Sequence, residues 1–159
     1  MSFKKLQWLF PIAVTLHNGE EAVWMPGWAL QHAGQLPMHP PGALLVRVVL
    51  IALVIAAFAV TYLSEREGPR SVWAYLLFGG IVAMLVNVFV PHVPATLLFR
   101  SYTPGVVTAV LVNLPVMSYL ALRAVREQWV SGGRAAAFGV GVPVGLGGAI
   151  FLLMVFGHR

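Results

Sequence analysis

The chain has 159 residues and a formal net charge of +5, and 59% of its residues are hydrophobic while only 9% are charged. A soluble domain carries about 25% charged residues, so this composition, with its mean hydropathy of +0.84, indicates a membrane protein. The absence of cysteine excludes disulfides and thiolate-bound metals. The positive charges are scattered over short loops, which indicates that they set the membrane topology, so we expect no nucleic-acid partner.

Five stretches are apolar and long enough to cross a bilayer, which takes about 20 residues in a helix. They lie at about 6–24, 43–63, 72–90, 105–122 and 135–156. The first begins with a basic segment but has no A-x-A-like cleavage site after it, which favours an uncleaved helix. The sequence therefore predicts an all-α, polytopic integral membrane protein whose five transmembrane helices form one bundle and one domain over residues 1–159.

The orientation follows from the distribution of Lys and Arg. With five spans, seven basic residues share the side of the N-terminus: Lys4, Lys5, Arg66, Arg70, Arg123, Arg126 and Arg134. The opposite side has Arg47, Arg100 and Arg159. Positive charge concentrates in cytoplasmic loops, so we predict a cytoplasmic N-terminus in a multi-pass protein of the cell membrane, with the bacterial inner membrane as its expected location.

The fifth segment is rich in glycine and contains Pro143. Gly141 and Gly145 have the spacing of the GxxxG pattern, and small residues at this spacing let two membrane helices approach closely. The segment is therefore a candidate surface for oligomer formation.

Three ionisable residues lie inside the first predicted span. At about 100° per residue, Glu20 lies about 60° to one side of His17 and Glu21 about 40° to the other, so all three share one face. A charged side chain near the centre of a membrane helix costs about 2.5–3.5 kcal/mol, so these groups should face the bundle interior, where partners or water are available.

Further polar residues fall in the same outer half of the predicted bundle. Asn87 and His92 lie at the outer end of the third span, where a proline before His92 loosens the helix. Tyr102 lies near the outer boundary just before the fourth span, and Thr108 and Asn113 follow at increasing depth within it. Topology alone brings them to the level of the first-span cluster, which predicts a single site.

One chemistry that suits these residues is a metal centre. A catalytic zinc commonly takes three protein ligands from His and Glu and leaves one position for water. His17, His92 and either Glu20 or Glu21 meet that number, and the other glutamate would act as general base. His with carboxylate suits zinc, iron and manganese alike, so the expected cofactor is a divalent metal of open identity.

The same residues permit other functions. A buried carboxyl beside His moves protons without a metal, as a lipid isomerase or a proton-coupled carrier requires. A carrier or channel for protons, metal ions or small solutes, and a structural or apolar-ligand-binding protein, are the remaining alternatives.

Three ordered motifs carry a family resemblance. They are His17-x-x-Glu20-Glu21, Asn87-x-x-x-x-His92 and Tyr102-x-Pro104-Gly105-x-x-Thr108. With them the chain resembles the HXXEE-motif family of small integral membrane proteins. The resemblance implies a membrane enzyme of open reaction, and it implies these site residues: His17, Glu20, Glu21, Asn87, His92 and Tyr102.

We therefore predict a membrane enzyme performing hydrolysis or proton transfer on a lipid-like or amphipathic substrate, in contact with membrane lipid. The predicted catalytic residues are Glu20, Glu21 and Tyr102. The predicted orienting or substrate-binding residues are Asn87, Thr108 and Asn113. The predicted metal ligands are His17, Glu20, Glu21 and His92.

Overall fold

A computed structural model describes residues 1–36 and 41–156, with side chains to residue 153. Within these ranges the chain is helical and has no strand. The helices are α1 (Phe3–Leu6), α2 (Leu9–Gln31), α3 (Ala43–Glu67), α4 (Val72–Asn87), α5 (Val93–Phe99), α6 (Val106–Thr108), α7 (Leu114–Arg126) and α8 (Gly132–Phe156). Arg159, which entered the charge count, lies outside the described residues.

In the described part of the chain, four continuous helical segments, called rods below, are long and apolar enough to cross a membrane. Some of them join several of the helices named above. They are Ala43–Glu67, Val72–Phe99, Val106–Arg126 and Gly132–Leu153. Their lengths and composition are those of a helical membrane protein. Helix α2 has 23 residues but is not one of the four, because the polar segment from His17 to Glu21 lowers its hydropathy.

The N-terminus and two turns meet at one end of the bundle. The backbone N–H of Phe3 donates to the Glu127 carboxylate at 2.7 Å, which lowers the pKa of that carboxyl below its ordinary value. The backbone N–H of Arg70 donates to the Trp129 carbonyl at 2.8 Å. The segments with most of the basic residues on the predicted inner side are therefore neighbours. The cluster of His17, Glu20, Glu21 and His92 lies towards the other end.

Helix α2 continues beyond its predicted end at residue 24 and passes through Pro26 to Gln31. Proline lacks an N–H, so Pro26 leaves the carbonyl of Ala22 without its helical partner. The side chain of Arg47, at the start of α3, donates from Nε to that carbonyl at 3.3 Å. This long-range hydrogen bond supports the helix beyond the end that the sequence predicted.

Two π-helical turns interrupt the rods that supply the site. One covers Val88–His92, between α4 and α5, and Val90 within it has extended dihedral angles (φ −149°, ψ 108°). The residue before a proline is driven to this region, so Pro91 accounts for the kink. The second covers Ala109–Asn113, between α6 and α7. Such turns often occur at functional sites because they redirect side chains out of the helical register.

Helix α8 packs against α4 through a close approach at Gly79. A Cβ added there would lie 2.5 Å from Val142 Cγ2 and 2.7 Å from the carbonyl oxygen of Phe138. By contrast, a Cβ added at Gly141 or Gly145 meets nothing within 4 Å. The predicted GxxxG pair therefore takes no part in this packing.

We expect Gly79→Ala to destabilise the protein by about 1–3 kcal/mol, because the added methyl group overpacks the contact with α8. Gly141→Ala, the matched control on α8, should leave stability nearly unchanged. Thermal unfolding in detergent measures both variants. Equal unfolding temperatures for Gly79→Ala and wild type would contradict this packing.

Candidate metal centre

One face of α2 points into the bundle and has polar residues, and the opposite face is apolar and exposed. His17 is 1% exposed and Asn18 is also buried, while Ile12, Leu16 and Val23 are exposed. Asn18 donates to the carbonyl of Leu50 on α3 at 2.9 Å. The inward face of α2 therefore contains both residues, and Asn18 binds α3 while His17 points into the bundle.

Two histidines from distant parts of the chain meet around one amide. The ring centroids of His17 and His92 are 4.8 Å apart, and the rings are nearly perpendicular at 87°. Asn87 Nδ2 lies 3.0 Å from Nε2 of each ring. His92 is only 2% exposed, because the kink before it turns its side chain inward.

Glu21 completes this group. Its Oε1 lies 3.4 Å from His92 Nε2 and 3.7 Å from His17 Nε2, and its side chain is 12% exposed. His17, Glu21 and His92 each offer one ligand atom, and these three atoms lie within 4.8 Å of one another. The three residues are thus close enough to bind one metal ion.

Glu20, one residue earlier, faces a different set of partners. Its Oε1 accepts hydrogen bonds from the Tyr102 hydroxyl at 2.6 Å and the Gly105 backbone N–H at 3.1 Å. Its Oε2 accepts from the backbone N–H of Thr108 at 2.9 Å and from its hydroxyl at 2.6 Å. Four donors stabilise the charged carboxylate, and they bind it firmly to the segment 102–108.

Thr108 connects this carboxylate to the histidine pair. Its Oγ1 lies 2.6 Å from Glu20 Oε2 and 3.0 Å from His17 Nδ1. An ionised carboxylate only accepts, so the hydroxyl proton points to Glu20 and the hydroxyl oxygen accepts from His17 Nδ1–H. This arrangement selects the tautomer of His17 whose Nε2 has a free lone pair, as metal ligation requires.

Gly105 occupies the tightest position of the site. It follows Pro104 in a turn closed by the hydrogen bond from the Val106 N–H to the Thr103 carbonyl at 3.1 Å, and its φ is +88°. A Cβ at Gly105 would lie 2.5 Å from His92 Cε1, 3.0 Å from His17 Cε1 and 3.1 Å from Glu21 Cγ. Sequence reasoning included Gly105 in a family motif but not among the site residues, although Pro-Gly is typical of a turn that needs positive φ.

Tyr102 forms the open edge of the cluster. It is 43% exposed, although its hydroxyl binds Glu20. Partial burial and the hydrogen bond to the carboxylate raise the pKa of Tyr102 above its ordinary value. The phenol therefore stays protonated at neutral pH and remains a hydrogen-bond donor.

The structure thus divides the predicted residues into three groups. His17, Asn87, His92 and Glu21 surround one point. Glu20, Tyr102 and Thr108 form the adjoining hydrogen-bonded group. Asn113 belongs to neither: it is fully buried, and neither its Nδ2 nor its Oδ1 has a hydrogen-bond partner among the described residues.

Fold and site together define a small helical membrane protein with a buried His–Glu cluster formed by three separate segments. The chain belongs to the family described as proteins of unknown function with HXXEE motif, whose model matches residues 8–120. The match includes every residue of the cluster and ends before α8.

A protein of Bacillus subtilis (strain 168) is similar to this chain. It is described as uncharacterized protein YrkK, and it is 35% identical over 111 residues, which are 69% of this chain and 68% of the relative. No solved structure matches the chain significantly.

Proposed function

We propose that the chain is a metal-dependent membrane enzyme that performs hydrolysis or proton transfer on a lipid-like or amphipathic substrate. The observation that supports this most is the convergence of three lone-pair atoms, His17 Nε2, His92 Nε2 and Glu21 Oε1, inside an apolar bundle. Asn87 donates to the two imidazoles, but the Glu21 carboxylate that faces them accepts no hydrogen bond from the described residues, and such acceptors repel away from water unless a cation or a proton lies between them.

The two glutamates then have separate roles. Glu21 is the ligand, because its carboxylate faces both imidazoles. Glu20 anchors the segment 102–108 and, through Thr108, sets the tautomer of His17. All four of its lone-pair positions are used, so it is a poor general base. A divalent ion bound here would supply Lewis acidity and lower the pKa of a bound water.

The substrate class follows from access. The cluster lies among rods that face lipid with apolar side chains, such as Leu97 and Leu98 on α5. Tyr102 is the exposed member of the site and remains a donor, so it is suited to bind a polar head group. A lipid-like molecule would reach the cluster laterally along this edge.

The finer topology is part of the proposal. Helix α2 lies beside the other rods and exposes apolar residues, which supports a fifth span. The distribution of basic residues supports a cytoplasmic N-terminus and a site in the outer half of a cell membrane, with the bacterial inner membrane as the host. The open glycine face of α8 is the surface we propose for contact with a second copy.

Conversion of lipid tests the enzymatic proposal. Purified protein incubated with a total lipid extract of bacterial membrane should change the abundance of at least one lipid class, followed by mass spectrometry. Glu21→Gln, a matched control, should slow this change by about 10- to 100-fold or more, because a ligand is lost. Identical lipid profiles with and without protein would count against an enzyme of this class.

Thr108 provides a test of the hydrogen-bonded relay that runs from Glu20 through Thr108 to His17. We expect Thr108→Val to weaken metal binding by about 10- to 100-fold, because partners that orient a ligating histidine contribute that much to affinity. Thr108→Ser keeps the hydroxyl and should bind like wild type. Competition with a chelating dye measures both affinities, and an unchanged affinity for Thr108→Val would contradict the relay.

A further inference from the structure

We infer that Asn87 is a fourth ligand of the proposed metal, bound through its side-chain oxygen after the amide rotates. This inference rests on the proposed function, because it presumes that an ion binds between His17, His92 and Glu21. It assigns to the site a donor set of two imidazole nitrogens, one carboxylate oxygen and one amide oxygen.

The distances between the four donors support this set. Bonds of about 2.0–2.1 Å in tetrahedral geometry place neighbouring ligand atoms roughly 3.3 Å apart. The amide nitrogen of Asn87 lies 3.0 Å from each imidazole Nε2, and Glu21 Oε1 lies 3.4 and 3.7 Å from the same atoms. These four distances are near that value, and the ligand atoms of His17, Glu21 and His92 all lie within 4.8 Å of one another, so a small shift brings the donors around one small divalent ion.

The amide as oriented donates to both imidazole lone pairs. Its NH₂ group has two protons, and each points to one Nε2. These hydrogen bonds stabilise the pair of neutral histidines without an ion. They also occupy the same lone pairs that an ion needs, so ion binding requires the NH₂ group to leave.

Rotation of the amide by half a turn provides that change at little cost. The two ends of a side-chain amide have nearly the same size, so Oδ1 replaces Nδ2 without a change in packing. Oδ1 accepts no hydrogen bond from the described residues, so no such bond is broken. An amide oxygen is a ligand for hard and borderline divalent metals, whereas the amide nitrogen is not.

The two roles of Asn87 predict opposite effects of removing its amide. If the amide only donates to the imidazoles, it competes with the ion, and Asn87→Leu should bind metal as tightly as wild type or more tightly. If Oδ1 is a ligand, Asn87→Leu should bind metal about 10- to 100-fold more weakly. Asn87→Asp presents an oxygen at both positions and should bind at least as tightly as wild type.

The experiment is a Zn²⁺ titration of metal-free protein in detergent with these variants, repeated with Co²⁺ to follow its visible absorption. Asn18→Leu is the matched control, because Asn18 neighbours His17 but binds the carbonyl of Leu50. We expect the control to keep wild-type affinity, Asn87→Leu to lose affinity, and the Co²⁺ spectrum of Asn87→Leu to differ from that of wild type.

Two results would overturn the inference, and they are distinguishable. Wild-type affinity or tighter binding in Asn87→Leu, with an unchanged Co²⁺ spectrum, removes Asn87 from the donor set and leaves the metal site in place. Failure of wild type itself to bind either ion removes the metal site and the inference together. If Asn87→Leu does not fold, the smaller Asn87→Ala takes its place, since wild-type affinity with an unchanged Co²⁺ spectrum in that variant rejects ligation.

Discussion

Gly105→Ala should destabilise the protein by about 2–5 kcal/mol and abolish stoichiometric metal binding. A non-glycine residue at a left-handed φ costs about 1–2 kcal/mol, and the overpacking adds about 1–3 kcal/mol. The new methyl group would overlap His92 Cε1 and press on His17 Cε1, which separates the two imidazoles. Thermal unfolding and metal content, both measured in detergent, test this.

Gly132→Ala is the control for the conformational part of this effect. Gly132 also has a left-handed φ, +61°, but a Cβ there would meet nothing within 4 Å. We expect it to lose about 1–2 kcal/mol of stability and to keep its metal. If both variants lost the same stability and both kept metal, the inference that Gly105 packs closely against the histidines would be wrong.

The same substitution at two adjacent glutamates should produce opposite effects. Glu20→Gln should reduce stability by roughly 2–4 kcal/mol, because its new NH₂ group faces donors from the segment 102–108 and leaves them unsatisfied at about 1–3 kcal/mol each. Glu21→Gln should leave the fold nearly as stable as wild type and lose metal, because Glu21 faces the imidazoles. Thermal unfolding and metal content of the two variants separate these roles.

Interchanged results would reject the assignment. If Glu20→Gln were as stable as wild type while Glu21→Gln unfolded readily, Glu21 would be the structural anchor. Glu65→Gln is a useful comparison for an ordinary carboxylate, since Glu65 accepts one hydrogen bond from Trp8 Nε1 at 2.9 Å. It should lose less stability than Glu20→Gln.

Much of the fold could be predicted because apolar length and short loops dictate it. The run from Ala43 is apolar over a whole membrane thickness, and α3 begins there and ends at Glu67. The extension of α2 through Pro26 could not be predicted from local sequence, because the donor that binds the freed Ala22 carbonyl comes from Arg47, 25 residues away. Local sequence predicts a helix end at a proline, and a distant partner overrides it.

The candidate site could be predicted at the level of its members but not of their roles. Depth in the membrane placed His17, Asn87 and His92 at one level, and they do meet. Helical geometry makes Glu20 and Glu21 nearly equivalent about His17, at about 60° and 40°. The choice between them is made by the turn containing Gly105, whose backbone N–H groups face Glu20, and side-chain patterns do not reveal backbone donors.

Asn113 shows where the sequence argument is weakest. Its depth predicted a place in the site, yet it makes no hydrogen bond to the cluster, and both of its polar atoms are unpaired among the described residues. An unpaired buried amide costs about 1–3 kcal/mol, so nothing about its residue type predicts that position. The adjoining π-helical turn changes the helical register there, and a regular helical wheel does not include such a change.

Elemental analysis of detergent-purified protein tests the central claim most directly: that His17, His92 and Glu21 together hold one divalent ion. Wild type should contain close to one zinc, iron or manganese per chain, and a His17→Ala/His92→Ala double variant that remains folded should contain almost none. Wild type without near-stoichiometric metal, or a double variant with as much metal as wild type, would contradict the account. The first of these results would instead favour a metal-free proton-transfer site.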